Sequence, residues 1–211
     1  MTQRLTSNPN LHLHHDPLFN DMPIQVKYLP MVFEYLESLQ TTLEDALEDY
    51  SHVLVIRVEP VIPTLISDQM TVVDHMLLMP KFIASLRAII KHDLKRRRKI
   101  NWVPDTKVRF AWTREVGDNG KMHYHFFLIL NRGSYHMPGK ACSPNENLIS
   151  RGSRVWNPQE PWIHVPDHPF YWIDRGDVNS FQEAFYRASY LCKADTKQYG
   201  LRMRSFSTSH N

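Results

Sequence analysis

The stretch from Met122 to Leu130 is the feature that most constrains how this chain can fold. Its residues are aromatic, β-branched or aliphatic almost throughout, and glycines occur on both sides of it. Such a run is typical of a strand that is buried on both faces of a sheet. It contains His123 and His125, and a spacing of two places both imidazoles on the same face of the strand.

Two imidazoles side by side on a rigid strand can share a divalent metal ion. The alternative is a pair of half-buried histidines with ordinary hydrogen bonds, since histidine is of intermediate burial in proteins. Which of the two applies depends on whether the chain supplies further ligands nearby.

The segment before this strand offers a carboxylate as a third ligand. Residues 107–116 are predicted to form a second strand, joined to the first by a three-residue loop with Gly120 in the left-handed conformation. That register sets Glu115 opposite His123 and Thr113 opposite His125, on one face. A two-residue turn would shift the register by one and point Glu115 to the other face.

Composition excludes several classes of protein. The 211 residues are 42% hydrophobic and 22% charged, which is ordinary for a globular domain. No apolar run approaches the ~18 residues of a membrane span, and the N-terminus lacks the apolar core of a signal peptide. Cys142 and Cys192 are too few for a disulfide framework or a cysteine zinc site. We therefore expect a cytoplasmic, reduced protein with no membrane association.

The rest of the chain divides into a polar arm, residues 1–27, and a single domain, residues 28–211. The arm contains His12, His14 and His15 and is predicted to be mobile or loosely packed. The first half of the domain is predicted to contain an acidic amphipathic helix over 30–50, a strand over 51–59 and a helical region over 67–98 that is interrupted near Pro80. After the histidine strand, a short helix is predicted over 145–156 and short strands over 162–165 and 170–173. A helix capped by Asp177 or Asn179 then runs to about Lys197, and an edge strand follows over 203–207.

Positive charge is concentrated in two places. Residues 91–99 contain six bases and one acid, and Arg87, Lys91, Lys95 and Arg98 fall on one face of the predicted helix. Together with Lys197 near the C-terminus, they are candidate DNA-binding residues on a basic face. A solvated helix end explains the run of bases equally well, because cations are favourable at helix C-termini.

The last predicted helix carries two tyrosines and two lysines on one stripe: Tyr186, Tyr190, Lys193 and Lys197. A tyrosine can act as a nucleophile that forms a covalent intermediate. Attack on a phosphodiester requires a polarised phosphate, stabilised charge and a positioned hydroxyl, and Lys193 could stabilise the phenolate or the phosphate. The alternative is that both tyrosines pack at the boundary of an amphipathic helix.

Taken together, these segments carry a resemblance. His123-Tyr124-His125 in a buried strand, Glu115 upstream and Tyr186-x-x-x-Tyr190-x-x-Lys193 on a later helix resemble the HUH endonucleases, which comprise rolling-circle replication initiators, relaxases and related transposases. Residues 54–59, His123 to Phe126 with Asn131, and residues 189–197 look like the gene II replication proteins of filamentous phages (inoviruses). Within these, they look closest to the prophage-borne YagK/YfjJ branch.

The resemblance implies a fold and an activity. The fold would be α+β, a central antiparallel sheet with helices packed on it, related to the split βαβ unit. Mg²⁺ or Mn²⁺ would bind to His123 and His125, with Glu115 as the third ligand. Tyr190 would attack a single-stranded phosphodiester and leave a 5′-phosphotyrosine and a free 3′-hydroxyl, with Tyr186 either a second nucleophile or a neighbour. The implied partners are single-stranded or supercoiled phage-origin DNA and the host replication helicase and polymerase.

Two other functions remain open at this stage. One is a catalytically inactive, prophage-derived DNA-binding protein of the same fold, which would bind through the basic face with salt-sensitive affinity. The other is an unrelated hydrolase or structural metal protein that depends on neither tyrosine.

Overall fold

An antiparallel sheet runs through the middle of the fold and separates two hydrophobic cores. The computed structural model describes residues 3–60, 62, 69–117, 120–137, 163–164, 166–199 and 203–209. Its strands are β1 (Arg4–Leu5), β2 (Asn8–His14), β3 (Leu18–Phe19), β4 (Met22–Pro23), β5 (Met31–Val32), β6 (His52–Pro60), β7 (Arg109–Val116), β8 (Met122–Asn131), β9 (Ile163–His164), β10 (Phe170–Asp174) and β11 (Phe206–Thr208). Its α-helices are α1 (Phe33–Asp49), α2 (Val72–Arg97) and α3 (Val178–Ala188), and 3₁₀ turns cover Val26–Tyr28 and Ser189–Cys192.

The central sheet has the strand order β10-β6-β8-β7-β11, and each neighbouring pair is antiparallel. β9 pairs with the far end of β6, at Glu59 and Pro60. β6 and β8 lie at the centre, and their side chains alternate between the two cores, as in Val55 and Ile56. This arrangement confirms the expected α+β class.

One face of the sheet is covered by α1, α3 and the N-terminal segment, residues 3–32. The bounds of α1 agree with the predicted acidic helix, and its apolar stripe of Leu36, Leu39 and Leu43 is fully buried. On its outer side, Asp45 and Asp49 lie 3.1 and 2.8 Å from the guanidinium of Arg109 at the start of β7. These ion pairs tie the C-terminal end of α1 to the sheet.

The N-terminal segment is part of this core, which corrects the prediction of a mobile or loosely packed arm. Phe19, Met22 and Ile24 are buried in it, and β2 pairs with β5. Their apolar side chains are separated by turns and polar residues, so they show no periodic pattern in the sequence. The β3–β4 hairpin brings them together in space.

The opposite face is covered by α2, which begins at a capping box formed by Thr71 and Asp74. The helix is continuous through Pro80, so the predicted interruption was wrong. Pro80 is exposed and so is Met76, the residue whose carbonyl loses its hydrogen-bond donor, and solvent can therefore satisfy that carbonyl. No helix in the described ranges has the length and apolar character needed to cross a membrane.

α3 is capped at its N-terminus by Asp177, one of the two predicted caps, but it ends at Ala188 and not near Lys197. The side-chain amide of Gln25 donates to the carbonyl oxygens of Tyr186 and Arg187, both at 3.0 Å. These two carbonyls lie in the last turn of the helix and would otherwise accept hydrogen bonds from later residues of a longer helix. The chain therefore leaves α3 through the 3₁₀ turn and an extended segment, because the N-terminal segment caps it.

The remaining short elements agree with the predictions in type. β9 falls within the first predicted short strand and β10 covers the second and extends to Asp174, and both strands pair with β6. β11 is the edge strand predicted from the tail and pairs with β7. The short helix predicted over 145–156 lies outside the described residues.

Candidate active site

The histidine-bearing hairpin adopts the register that places a carboxylate beside the imidazoles. Glu115 pairs with His123 and Thr113 pairs with His125. Gly120 has a φ of 74°, and a hydrogen bond from its amide to the carbonyl of Gly117 closes the turn. The predicted register and the left-handed Gly120 are thus confirmed, and Glu115 lies on the same face as both histidines.

His125 lies between two carboxylates. Its Nδ1 is 3.2 Å from Oε1 of Glu59, and its Nε2 is 3.5 Å from Oε2 of Glu115. Burial disfavours the charged imidazole, but the hydrogen bonds to Glu115 and Glu59 outweigh it and raise the pKa of His125. The side chain of His123 is exposed and makes no hydrogen bond or ion pair within the described part of the chain.

The hydroxyl of Tyr190 meets this cluster from the other side. It donates to Oε2 of Glu115 at 3.1 Å and lies 3.4 Å from Nε2 of His125. The Nζ of Lys193 donates to the same hydroxyl oxygen at 3.0 Å. Burial and the charge of Glu115 raise the pKa of Tyr190, whereas Lys193 opposes that rise. The hydroxyl therefore lies among a carboxylate, an imidazole and an ammonium group.

Two lysines compensate the buried charge of Glu115. Nζ of Lys193 lies 2.8 Å from Oε2, and Nζ of Lys197 lies 3.8 Å from Oε1. Burial raises the pKa of Glu115, but the contacts with His125, Lys197 and Lys193 bring it down to about 2. Glu115 is therefore a carboxylate at neutral pH.

The N-terminal segment positions Tyr190 and Lys193. The backbone of Met31 forms a bridge with Lys193, and the amide of Ala194 donates to the carbonyl of Pro30 at 3.0 Å. The ring of Tyr28 contacts the ring of Tyr190 edge-on, with centroids 4.8 Å apart. The chain is extended at Lys193, and its side chain therefore lies back beside Tyr190, three residues earlier in the chain.

Glu59 and His164, which are not among the predicted site residues, belong to this cluster. Glu59 pairs with His125 on one side and with Nδ1 of His164, at 3.0 Å, on the other. Its pKa is lowered to about 2, because the hydrogen bonds to His125 and His164 and the charge of Arg57 outweigh burial. Alternation along β6 assigns Glu59 to the face of Val53 and Val55, but only the pairing of β6 with β8 shows that this is the face of His125.

Other predicted site residues lie elsewhere. Tyr186 is 44% exposed, and its side chain makes none of the described contacts of the cluster. Lys197, predicted to bind DNA, is buried below Glu115 and donates to the carbonyl of Lys193 at 2.5 Å. Because α3 ends early, the two tyrosines and two lysines do not form a single helical stripe.

The predicted basic face is exposed along α2, on the opposite side of the sheet from Tyr190. Arg87, Lys91 and Arg98 line a groove of about 780 Å³, whereas Lys95 does not. The same groove contains Asp45, Glu48 and Asp49, and Arg98 lies 3.2 Å from Asp105. The groove is therefore mixed in charge.

The Tyr190 face carries donors of the types that bind divalent metal ions, two imidazoles and a carboxylate. His123, His125 and Glu115 share that face, and Oε1 of Glu115 is buried without a hydrogen-bond partner among the described residues. A carboxylate suits Mg²⁺ or Mn²⁺, whereas imidazole is the more usual ligand of zinc, copper, iron and nickel. As the side chains stand, Lys193 is the cation beside Glu115, and no three His, Cys, Asp or Glu side chains of the described ranges are grouped to hold a metal ion.

Comparison with known proteins gives a family match over most of the chain. A model of the YagK/YfjJ C-terminal domain matches residues 14–209. The uncharacterized protein YfjJ of Escherichia coli (strain K12) is 25% identical over 199 residues, 83% of this chain and 93% of the relative. The uncharacterized protein YagK of the same strain is 22% identical over 194 residues, 84% of this chain and 93% of the relative. No solved structure matches.

Proposed function

The chain belongs to the YagK/YfjJ C-terminal domain family, and from this premise and the tyrosine cluster we propose that it is a single-strand DNA nickase and ligase of the rolling-circle replication initiator type. The observation that carries the proposal is the position of the Tyr190 hydroxyl, within 3.4 Å of Glu115, His125 and Lys193. A nucleophile needs a partner that takes its proton and a charge that stabilises its oxyanion, and this cluster contains both.

In the proposed reaction, the hydroxyl oxygen of Tyr190 bonds to the phosphorus of a phosphodiester and the bond from phosphorus to the 3′ oxygen breaks. The products are a 5′-phosphotyrosine and a free 3′-hydroxyl. The proton lost by Tyr190 equals the one gained by the 3′ oxygen, and Lys193, which donates to the hydroxyl oxygen of Tyr190 at 3.0 Å, would stabilise the phenolate. The reverse reaction would rejoin the strand.

We propose Mg²⁺ or Mn²⁺ as the cofactor, held by His123, His125 and Glu115. A bound divalent cation would polarise the phosphate and neutralise charge on its oxygens. Binding there requires Glu115 to exchange its contact with Lys193 for the metal, which would leave the ammonium of Lys193 available to the phosphate. Glu59 would not bind the metal itself, and its role would be to orient the ring of His125.

The proposed substrate is single-stranded or supercoiled DNA that carries a phage origin, and host replication helicase and polymerase are proposed partners. These follow from the resemblance to the gene II replication proteins. Salt-sensitive DNA binding without any cleavage would instead favour a catalytically inactive DNA-binding protein of the same fold.

The decisive experiment is to incubate purified protein with single-stranded DNA labelled at its 3′ end and Mn²⁺ and to separate the products on a denaturing gel. We expect a labelled band at the mass of the protein plus a DNA fragment. Tyr190→Phe should abolish this band, whereas Tyr186→Phe, the matched control in the same segment, should retain it. An adduct that persists in Tyr190→Phe would overturn the assignment, and no adduct from folded protein would overturn the proposed activity.

A further inference from the structure

A second cavity, of about 430 Å³, lies on the α2 side of the sheet. Its walls are the N-terminal half of α2, the β7 side chains that face α2, Tyr124 of β8 and Arg204 just before β11. It lies behind the hairpin that carries the histidines, because Arg114 and Tyr124 alternate in direction with Glu115 and His125.

Arg114 is the unusual residue of this cavity. It is only 3% exposed, yet no described carboxylate forms an ion pair with it. Its Nη2 has three long contacts, to the carbonyl oxygens of Gln198 and Met203 at 3.4 Å and to Oγ of Ser205 at 3.5 Å. Typical hydrogen bonds from nitrogen to oxygen are shorter, about 2.7–3.2 Å. A buried guanidinium with such weak compensation is costly, and burial lowers its pKa.

The other charged residues that line the cavity have the same sign. Arg87 and Arg204 are exposed at its rim, and no Asp or Glu is among its described lining residues. His75 and Tyr124, joined by a hydrogen bond of 3.0 Å, add polar groups, while Pro80, Ile83 and Trp112 form an apolar wall. The groove lined by Lys91 and Arg98 differs in this respect, because Asp45, Glu48 and Asp49 balance its bases.

We propose that this cavity binds a nucleotide unit, with its phosphate on Arg87, Arg114 and Arg204 and its sugar or base against the apolar wall. Arginine presents several donors in a planar fork and is suited to phosphate. The bound phosphate is then the counter-charge that Arg114 lacks within the described chain. The inference goes beyond the proposed nicking reaction, since it concerns binding at a site on the other face of the sheet.

Two sources supply the same chemistry, a nucleotide within a DNA strand and a free nucleotide. The test therefore uses both a fluorescein-labelled oligothymidylate of roughly 12 nucleotides, within the usual size of a single-strand site, and thymidine 5′-monophosphate. All measurements are made in the full-length Tyr190→Phe protein, so that cleavage cannot alter the probe. Fluorescence anisotropy reports oligonucleotide binding, and saturation-transfer NMR reports mononucleotide binding.

Arg204→Gln and Arg87→Gln should each weaken binding about tenfold, the effect of losing one charge-assisted hydrogen bond. Both residues are exposed, so these changes should leave the fold intact. Arg4→Gln, in β1 of the N-terminal sheet, is the matched control and should leave the affinity unchanged. Arg114→Met should also weaken binding, while its thermal unfolding temperature stays equal to or above that of the parent, because a buried and poorly compensated charge is removed.

Loss of both oligonucleotide and mononucleotide binding would assign the cavity to any nucleotide, and loss of oligonucleotide binding alone would assign it to a strand. Unchanged binding of both probes in Arg87→Gln and Arg204→Gln would overturn the proposal. The proposed function can fail separately. If no Tyr190 adduct forms but nucleotide binding depends on the arginines, the nickase activity is refuted and the nucleotide site in the cavity is retained.

Discussion

The side-chain nitrogen of Lys193 lies 3.0 Å from the hydroxyl oxygen of Tyr190, although the two residues do not share an α-helix. The same ammonium group lies 4.5 Å from the centre of the Tyr190 ring and 2.8 Å from Glu115. Lys193 therefore links the proposed nucleophile to the carboxylate that receives its hydrogen bond. This relationship leads to the first prediction.

Lys193→Met should slow formation of the DNA adduct about a hundredfold, the usual effect of removing one donor that stabilises charge in a transition state. The reason is that the phenolate and the phosphate both lose a nearby positive charge. The measurement is the single-turnover rate of adduct formation on a denaturing gel. Lys27→Met, which removes an exposed lysine near Tyr28, is the control and should react at the parental rate. Parental kinetics in Lys193→Met would contradict the role.

Glu59→Gln should lower the rate of adduct formation about 10- to 100-fold, the range seen when the partner of a functional histidine is removed. Glutamine keeps the size of the side chain but lacks the carboxylate that accepts the hydrogen bond of His125 Nδ1 and orients the ring. Because Glu59 acts through His125, the change should reduce the maximal rate and leave DNA affinity unaltered. A weaker affinity at an unchanged rate would show that Glu59 contacts the DNA instead.

Removal of divalent metal should abolish the adduct, and addition of Mn²⁺ should restore it. The donors proposed for the metal are His123, His125 and Glu115, and a cation bound to them would polarise the phosphate. His123→Ala should raise the Mn²⁺ concentration needed for half-maximal adduct formation about 10- to 100-fold. His15→Ala, in the N-terminal histidine run, should not. Full activity in the presence of a chelator would refute the metal requirement.

Phe19→Ala should destabilise the protein by about 3–5 kcal/mol, the usual cost of emptying a large aromatic site in a core. Phe19 is 1% exposed and packs on the rings of Phe33 and Phe185. Denaturant unfolding measures the change. Leu18→Ala, at the neighbouring residue, which is 49% exposed, should change stability by no more than about 0.5 kcal/mol. Equal effects of the two changes would mean that the N-terminal segment is not packed in the core.

Asp49→Asn should lower the free energy of unfolding at neutral pH by about 1–2 kcal/mol, the lower part of the range for hydrogen bonds to charged groups, because solvent partly screens the Asp49 side chain. Burial alone would raise the pKa of Asp49, but Lys107 and Arg109 outweigh it and lower the pKa. This contribution is therefore present above the ordinary pKa of about 3.9 and is lost as the pH falls through the lowered value.

Thermal unfolding across the acidic range tests this sign. The difference between the parent and Asp49→Asn should be constant from neutral pH down to about pH 4 and should shrink below that. Asp167→Asn, at an exposed position, should match the parent throughout. A difference that grows on acidification would contradict the assignment.

Local pattern in the sequence was sufficient for the elements with a strong period. The acidic helix, the β6 strand and the β7–β8 hairpin follow from apolar spacing and from the turn at Gly120. The predicted three-residue loop placed Glu115 beside His123, and the structure decided between this register and that of a two-residue turn. These features depend on residues near one another in the chain, where steric and hydrogen-bonding preferences act directly. That Lys193 lies close to Tyr190 was likewise predictable, because the two residues are only three positions apart.

The tertiary structure alone decided the remaining features, because they depend on groups that are distant in the sequence. α3 ends at Ala188 because Gln25, over 160 residues earlier, caps its carbonyls. Glu59 joins the cluster because β6 pairs with β8. Alternation along β6 shows which of its residues share a face, but not that this face is the one occupied by His125. Lys197 became a buried partner of Glu115, and Arg114 became a buried guanidinium without a described acid, through packing that no local pattern encodes.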